Sequence, residues 1–377
     1  MCTRIEKKLI ETVRAVTIEG RRDVPLFEDG EDMRALCKLA VTHQVEHLLA
    51  YVLIGAGHKR FEKPFFASAG LTAKQSGMAK SIKELFKKER IPFILLKGQV
   101  LRGLYPEEWM RNSCDLDILV HPVDMDRAGK VLLSLGFERV EGLSAHDVTY
   151  KLGTVHIELH FDLIEEHVFP EVSEVLSHVW EECRDCEYEY VMSDEFFYFY
   201  HVAHMAKHFQ NGGCGVRSIL DLWFLNHRLD FVKDKRDALL LKGGLLKFDE
   251  GMRALAEAWF SGGSRSEYAT LSELEKFVMM GGAYGRTDSS VAVKKKQRGG
   301  RLGYFLSRIF APMSLLVKYY PVLEKHPYLM PVYQVKRWID AMARDRKKYM
   351  RELRENIKND KNGDAVGKML DELGLIK

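Results

Sequence analysis

Apolar positions in the first 90 residues recur at the spacing of an α-helix. In IEKKLIETVRAV they return every three to four residues, and residues 31–57 continue the pattern as two helices that end near Gly55 and Gly57. Residues 65–90 carry an apolar stripe without an internal proline and end in basic residues. The pattern predicts an N-terminal helical region whose last helix is long.

Short apolar segments separated by loops replace this pattern after residue 90. IPFILLKG and CDLDILVH predict buried strands, and FERVE, HDVTYKL and VHIELHFDL predict three more. QVLRGLY predicts a short helix stopped by Pro106, and PVDMDRAGKVLLSLG predicts another that ends at Gly136. The alternation indicates an α/β module over residues 91–163.

Helical periodicity then returns. DEFFYFYHVAHMAKHFQ and VRSILDLWFLNHRLD flank the turn sequence NGGCG, and two further helical segments follow. GGAYGRTDSSVAVKKKQRGGR breaks the pattern, which predicts a flexible loop, and prolines punctuate the helical remainder.

Charge is distributed unevenly, although the net charge of the 377-residue chain is only +3. Residues 290–377 contain 20 Lys and Arg against 9 Asp and Glu, a net of +11, so the rest carries −8. A basic region beside an acidic body predicts contact with phosphates, nucleic acid or an acidic partner. A solvated helical face is the alternative.

The six cysteines are scattered, unlike a secreted disulfide framework. The lone CxxC of Cys183 and Cys186 lacks the second pair that zinc needs, so we expect free thiols. The first residues are charged, without the apolar core of a signal peptide, and no apolar run reaches the ~18 residues of a membrane span. We therefore expect a cytoplasmic protein with no membrane partner.

Two aspartates interrupt the apolar strand CDLDILVH. Alternate residues of a strand share a face, so Asp115 and Asp117 point the same way, opposite to Leu116 and Ile118. Two carboxylates within about 7 Å repel one another, and a divalent cation such as Mg²⁺ relieves that repulsion. The pair is a candidate metal site. The alternative is a pair of acids that face solvent or bind neighbouring Arg and Lys.

VHIELH predicts another strand with polar chemistry on one face. His156, Glu158 and His160 alternate with Ile157 and Leu159. Glu158 would supply a third carboxylate, and two acids on one strand with one on a neighbour suit a two-metal phosphoryl-transfer site. His160 is a candidate for substrate contact or for supporting a ligand.

The residues upstream of Asp115 suit phosphate binding. Gly98 lets the backbone approach a ligand and opens a helix whose N-terminus offers free N–H groups. Lys97 is a candidate phosphate ligand, or else a surface lysine. Arg111 could clamp a phosphate with two N–H groups, or form an ion pair that orients Asp115 or Asp117.

Three histidines, His201, His204 and His208, share one face of a predicted helix. Arg217 and Asp221 share a face of the next helix. The histidines predict a cleft wall that faces the strands; a polar helix–helix interface and a separate metal site are the alternatives. The chain has no P-loop or G-x-S-x-G motif, and its Gly-rich GGAYG does not follow a strand.

The order of these motifs resembles the nucleotidyltransferases of the DNA polymerase beta superfamily. More narrowly, LLKG, LYP, CDLDILV and HIELH resemble the bacterial family of uncharacterised nucleotidyltransferases known as NTP_transf_5. HVAHMAKHF, VRSILDLWFL and the late YYPVLEKHPYLMPVYQVKRW extend the resemblance over residues 71–343. One departure is Gln99, which stands where the superfamily's Gly-Ser signature has serine.

The resemblance implies an α+β fold: a polymerase-beta-type α/β core with a mixed sheet, flanked by N-terminal helices and a largely helical C-terminal region. The expected regions are N-terminal helices (1–90), a catalytic core (91–192), a helical domain beside the cleft (193–280), a flexible basic loop (281–300) and a basic helical C-terminal region (301–377).

The resemblance also implies an enzyme of the EC 2.7.7 type, which transfers an NMP from an NTP to a hydroxyl or similar acceptor and releases pyrophosphate. Mg²⁺ or Mn²⁺ is the implied cofactor. Asp115, Asp117 and Glu158 match the family's catalytic and metal-binding acids, and Glu158 would help to activate the nucleophile. The expected substrate contacts are Lys97, Gly98, Gln99, Arg111, His160, His204 and His208.

The acceptor stays open: a small molecule, a sugar, a peptide, a protein or an RNA. An alternative is an inactive or toxin-like member of the fold that binds RNA or a protein partner through its basic C-terminal region. A weak nucleic-acid contact would then involve residues 290–377.

Overall fold

A seven-stranded mixed sheet lies at the centre of the structure, a computed structural model, in the order β3-β4-β5-β2-β1-β7-β6. Strand β2 runs parallel to β5 and antiparallel to β1, while β1 runs parallel to β7. The strands are β1 (Phe93–Leu95), β2 (Leu116–Val120), β3 (Glu138–Arg139), β4 (Asp147–Leu152), β5 (Val155–His160), β6 (Cys183–Cys186) and β7 (Glu189–Met192). With its many helices this is an α+β fold, as predicted.

The structure describes residues 2–28, 30–140, 146–163, 170–262, 271–283, 291, 293–296, 299–340 and 363–375. The predicted flexible loop falls partly outside them, and residues 293–296 of it are helical. Residues 341–362 of the basic C-terminal region also lie outside the described residues.

Helices surround the sheet, and the first four are those that the apolar spacing predicts. The helices are α1 (Arg4–Thr17), α2 (Glu31–Thr42), α3 (Glu46–Gly55), α4 (Glu62–Lys88), α5 (Lys97–Arg102), α6 (Met125–Ser134), α7 (Pro170–Leu176), α8 (Asp194–Gln210), α9 (Val216–Arg228), α10 (Lys233–Lys242), α11 (Leu246–Phe260), α12 (Leu271–Gly281), α13 (Arg301–Ile309), α14 (Met313–Tyr319), α15 (Val322–Lys325) and α16 (Gly363–Glu372). Short 3₁₀ turns lie at Lys59–Phe61, Glu108–Met110, Pro122–Asp124 and Pro327–Leu329. None of the helices in the described ranges is both long and apolar enough to cross a membrane.

Strict alternation in β2 and β5 gives the sheet two different faces. Ile118, Ile157 and Leu159 are fully buried in one core, which they share with α4 and α6. Leu119 points the other way, into the larger core, to which helices α1–α3 and α7–α12 contribute. Burying one such side chain contributes roughly 1.5–3 kcal/mol. This burial fixes the strand register, because a shift of one residue would turn every side chain to the wrong face.

The hairpin of β6 and β7 at the sheet edge is a feature that the sequence pattern did not predict. Glu187 and Tyr188 at its turn have φ of 59° and 71°, the left-handed values of a type I′ turn. Such turns favour Asn-Gly or Asp-Gly, and this chain has neither signal there. Cys183 and Cys186 are free thiols on β6. They are three residues apart on a strand and so belong to opposite faces.

Two buried histidines connect the N-terminal helices to the rest of the structure. The Nδ1 atom of His43 accepts a hydrogen bond from the backbone N–H of Val216 (3.1 Å). His47 Nε2 donates to the carbonyl of Met110 and its Nδ1 accepts from the Asn112 amide, both at 2.9 Å. Burial lowers the pKa of each histidine to about 4. Both rings are therefore neutral at pH 7, with each Nδ1 serving as an acceptor.

We expect the free energy of unfolding to fall as the pH drops from about 6.5 to 4. The pKa of each histidine is about 4 when folded and about 6.5 when unfolded, so the unfolded chain takes up protons first in this window. Urea titrations between pH 7 and pH 4.5 measure the slope of the unfolding free energy against pH. Replacing both rings, His43→Gln with His47→Gln, should make that slope shallower. An unfolding free energy that is equal at pH 7 and pH 5 would contradict this account.

Candidate functional site

A cleft of about 300 Å³ separates the polar face of the sheet from helices α8 and α9. The sheet side contributes Lys97, Gly98, Asp115, Asp117, Glu158 and His160, and the helical side contributes His201, His204, Lys207, His208, Arg217 and Asp221. Most of the residues that the sequence singles out for chemistry therefore line one cleft.

The pairing of β2 with β5 sets the acidic residues side by side. Asp117 lies directly opposite Glu158 in the parallel ladder, so both side chains point from the same face. The ligand atoms of Asp117, Glu158 and His160 lie within 4.8 Å of one another. Asp115 comes immediately before β2 and lines the same cleft. The strand begins at Leu116, after the predicted start at Cys114, and Asp115 and Asp117 still line the same cleft.

Asp117 is buried between Lys97 and His160. Its Oδ1 atom lies 2.9 Å from Lys97 Nζ and 3.0 Å from His160 Nε2. Burial alone would raise the pKa of Asp117, but Lys97 and His160 hold it below its usual range. Burial opposes the charged forms of both partners as well, yet contact with Asp117 keeps the pKa of Lys97 and of His160 raised. Asp117 is thus ionised and compensated at neutral pH.

Lys97 reaches Asp117 from an uncommon backbone conformation. Its φ is 38°, in the left-handed region that residues other than glycine seldom occupy. Lys97 is the first residue of α5, directly after the turn that follows β1. The ion pair with Asp117 shows that Lys97 is not a surface lysine, so that alternative is wrong.

Asp115 has no comparable compensation. Burial, followed by the negative charges of Asp117 and Glu158, raises the pKa of Asp115 to about 6. The Glu158 side chain is 33% exposed and lies 3.5 Å from His160 Nε2. Three carboxylates in one cleft therefore carry a repulsion that Lys97 and His160 only partly relieve.

The donor set fits a divalent cation. Carboxylate oxygens are the ligands that Mg²⁺ and Mn²⁺ prefer, and a cation would relieve the repulsion that raises the pKa of Asp115. Asp117, Glu158 and His160 already group their ligand atoms closely. A second group of possible ligands, His146 and Asp147 with the shared His160, lies beside the first.

Arg111 has a different partner from the two that the sequence suggested. Its Nε and Nη2 atoms donate to Asp221 at 2.7 and 2.9 Å, and Tyr105 donates to the same carboxylate at 2.7 Å. Arg111 and Asp221 are both buried. The predicted ion pair with Asp115 or Asp117 is therefore wrong, and Asp221 occupies the two N–H groups that a bidentate phosphate contact would use. Arg111 instead joins the loop before β2 to α9.

The three histidines of α8 all line the cleft. The Nε2 atoms of His204 and His208 lie 2.9 Å apart, so one ring donates a hydrogen bond to the other. Burial lowers the pKa of His201 and His208 to about 4 and that of His204 further. Helix α8 therefore presents neutral rings, opposite the charged face of the sheet.

Gly98 is required by packing. A Cβ atom at this position would lie 2.9 Å from the Cβ and Oγ atoms of Ser113. Ser113 also accepts a hydrogen bond from the buried Arg102, which in turn bonds Gln75. This network keeps α5 close against the loop before β2.

The structure does not bring Gln99 into the cleft. Its Oε1 accepts a hydrogen bond from Arg102 Nη1 at 3.2 Å, and its side chain lines a separate groove beside Lys83 and Glu189. Helix α5 carries residues 98 and 99 in different directions, so the Gln99 side chain does not line the cleft as Gly98 does. His156 likewise does not belong to the residues that line the cleft.

Sequence reasoning missed Lys207 and His146, which line the cleft. It did single out Arg217 and Asp221 by their spacing on one helical face. Arg217 lines the cleft and donates to the backbone carbonyl of Asn112 at 3.2 Å. Nothing in the local pattern around His146 distinguished it from a loop residue.

One comparison with known proteins gives a match. A family model described as uncharacterised nucleotidyltransferase matches residues 29–261, more than half of the chain. The matched range includes β2, β5, α8 and α9. No curated protein and no solved structure matches the chain.

We expect Arg111→Leu to destabilise the protein by about 3–5 kcal/mol, because Asp221 would stay buried without its cation. Urea unfolding at pH 7 measures the loss. The double variant Arg111→Leu with Asp221→Leu should recover part of it, since it leaves no unpaired charge. A single variant as stable as the parent protein would show that the pair does not join the two walls.

Proposed function

The chain belongs to the family of uncharacterised nucleotidyltransferases, and we propose that it transfers an NMP from an NTP to a hydroxyl acceptor. The acceptor oxygen bonds to the α-phosphorus, the bond from that phosphorus to the bridging oxygen breaks, and pyrophosphate leaves. The observation that carries the proposal is the presence of three carboxylates, Asp115, Asp117 and Glu158, in one cleft beside Lys97.

Asp115, Asp117 and Glu158 would hold the divalent cations of the reaction, Mg²⁺ or Mn²⁺, through their carboxylate oxygens. When bound, such cations neutralise charge that develops on the phosphates and polarise the attacking hydroxyl. The raised pKa of Asp115 supports this role, because its carboxylate is the one that a cation would stabilise most.

Lys97 would bind phosphate oxygens. Its ammonium lies 2.9 Å from Asp117, so a phosphate held at the carboxylates would be within its reach. Burial opposes the charge of Lys97, but the neighbouring acids outweigh it and raise its pKa, so Lys97 stays charged. A fixed positive charge in a cleft that excludes much of the solvent stabilises a phosphate more than a surface lysine does.

Glu158 would accept the proton of the attacking hydroxyl. Its side chain is 33% exposed, whereas that of Asp117 is 2% exposed. His160 Nε2 lies 3.5 Å from Glu158 and 3.0 Å from Asp117, and so orients both carboxylates. His160 is therefore proposed as a positioning residue that also faces substrate.

The histidine wall would contact the substrate across the cleft. His204 and His208 are neutral because burial lowers the pKa of both, so they can exchange hydrogen bonds with hydroxyl groups or bases without adding charge. Arg217 and Lys207 supply the positive charge on this side of the cleft. One side of the cleft therefore carries acids, and the other carries neutral histidines with two basic residues beside them. This arrangement suits a substrate that has both phosphates and hydroxyls.

Labelling with each α-³²P NTP, in the presence of Mg²⁺ or Mn²⁺ and a cell extract, tests the proposal. Label should pass to a distinct acceptor, and Asp117→Asn should lower the rate roughly a hundredfold or more, about 2.7 kcal/mol of barrier. Glu158→Gln should have a comparable effect, because it removes both a ligand and the proton acceptor.

Matched variants outside the cleft control for the change of charge. Asp126→Asn on α6 and Glu138→Gln on β3 alter exposed acids of the same types and should leave labelling unchanged. A triple variant of Asp115, Asp117 and Glu158 that labels as well as the parent protein would refute the catalytic assignment.

A further inference from the structure

Exposed apolar side chains concentrate in the C-terminal part of the structure. Across the described residues there are twenty exposed large hydrophobic side chains, and nine of them lie within residues 302–339. Single exposed apolar residues are common on proteins, but a concentration of this kind marks an interaction surface.

Helix α13 turns its apolar face outward. Leu302, Phe305 and Leu306 share one face by their spacing and are 70%, 42% and 44% exposed. Tyr304 points to the opposite side and is 3% exposed. The helix therefore packs onto the protein through Tyr304 and leaves its aliphatic and aromatic stripe to solvent.

A second stripe lies on the helical residues 330–340. Val332, Val335 and Ile339 are 61%, 48% and 58% exposed. The inner face of this helix is the one that packs, because Gln334 Nε2 donates to the carbonyl of Ala311 (2.6 Å) and Trp338 Nε1 to that of Ile309 (3.0 Å). These contacts join the two helices into one unit. We refer to the two stripes, Leu302, Phe305, Leu306, Val332, Val335 and Ile339, as the C-terminal apolar surface.

Positive charge accompanies the C-terminal apolar surface. Residues 299–340 contain six Lys and Arg against two Asp and Glu, and residues 290–377 carry a net charge of +11. Lys325 at the end of α15 and Lys336 on the helix of residues 330–340 are both exposed. Amphipathic helices with Lys and Arg beside an exposed Leu, Phe and Val stripe bind the interfacial region of anionic bilayers.

We propose that the C-terminal apolar surface docks onto an anionic lipid surface, with its apolar side chains in the headgroup region and its basic residues on the lipid phosphates. This peripheral contact is independent of the proposed transfer reaction. The proposal differs from the expectation from the sequence that the protein has no membrane partner.

The charge distinguishes lipid from the other possible occupants. A second copy of this chain would bring two strongly cationic regions together, which costs free energy. A nucleic acid would satisfy the charge, but aliphatic residues such as Leu302, Val332 and Ile339 offer its backbone no hydrogen bonds. An anionic bilayer satisfies both the charge and the apolar stripes.

Co-sedimentation of the full-length protein with vesicles tests the proposal. Vesicles of equal parts phosphatidylcholine and phosphatidylglycerol should bind the protein, pure phosphatidylcholine vesicles should bind it weakly, and added salt should release it. The variant Leu302→Ser, Val332→Ser and Ile339→Ser should weaken binding about tenfold or more. Replacing Lys325 and Lys336 by Gln should weaken it about fivefold for each lysine.

A matched control uses equally exposed apolar residues elsewhere. Val41→Ser, Phe66→Ser and Leu241→Ser, at sites 61%, 65% and 69% exposed, should bind vesicles as the parent protein does. Circular dichroism melting checks that each variant is folded. If the triple variant is unfolded, Ile339→Ser alone replaces it and should bind vesicles about threefold more weakly than the parent protein.

Three results would overturn the proposal. The first is no binding to the anionic vesicles at low ionic strength. The second is a serine variant that binds as tightly as the parent protein. The third is a parent protein that does not bind vesicles but forms a dimer, together with a serine variant that is a monomer. A second copy of the chain would then cover the C-terminal apolar surface.

Discussion

The charge balance around Asp117 is the interaction on which the candidate site depends. One buried carboxylate oxygen lies at 2.9 Å from Lys97 and at 3.0 Å from His160, while Asp115 and Glu158 add two further negative charges to the same cleft. Asp117 needs both partners, because a buried carboxylate without partners is costly and would take up a proton. The arrangement keeps Asp117 ionised and leaves the pKa of Asp115 raised to about 6. A site that holds uncompensated carboxylates in place is prepared for a cation.

Hydrogen bonds between the sheet side and the helical side hold the two walls of this cleft in a fixed position relative to one another. Arg111 and Tyr105 both bind Asp221 on α9, and His47 binds the backbone and side chain of the loop before β2. The range that the family model matches includes the strands of one wall and the helices of the other. Both walls contribute residues to the site. Loss of a buried partner in this network would move the carboxylates relative to the histidines of α8, and small displacements of catalytic groups are costly.

Local patterns predicted much of this structure. Alternation placed Asp117 and Glu158 on inward-facing strand positions, and helical spacing placed His201 and His208 on one face, because both depend only on the period of the backbone. Partner choice was not predictable in the same way. Arg111 is 110 residues from Asp221, and the sequence around either residue does not identify the other as its partner. The β6–β7 hairpin was missed because its turn lacks the usual glycine, and Gln99 was misplaced because one residue along a short helix changes the direction of a side chain.

Binding of Mn²⁺ in the absence of nucleotide, followed by electron paramagnetic resonance of the free ion, tests whether these carboxylates hold a divalent cation. The account predicts saturable binding to the parent protein and binding at least about tenfold weaker to Asp117→Asn and to Glu158→Gln, because each variant removes one of the ionised oxygens that such a cation prefers. Asp126→Asn, an exposed acid outside the cleft, should bind Mn²⁺ as the parent protein does. Equal Mn²⁺ affinity in the parent protein and in Asp117→Asn would contradict the account.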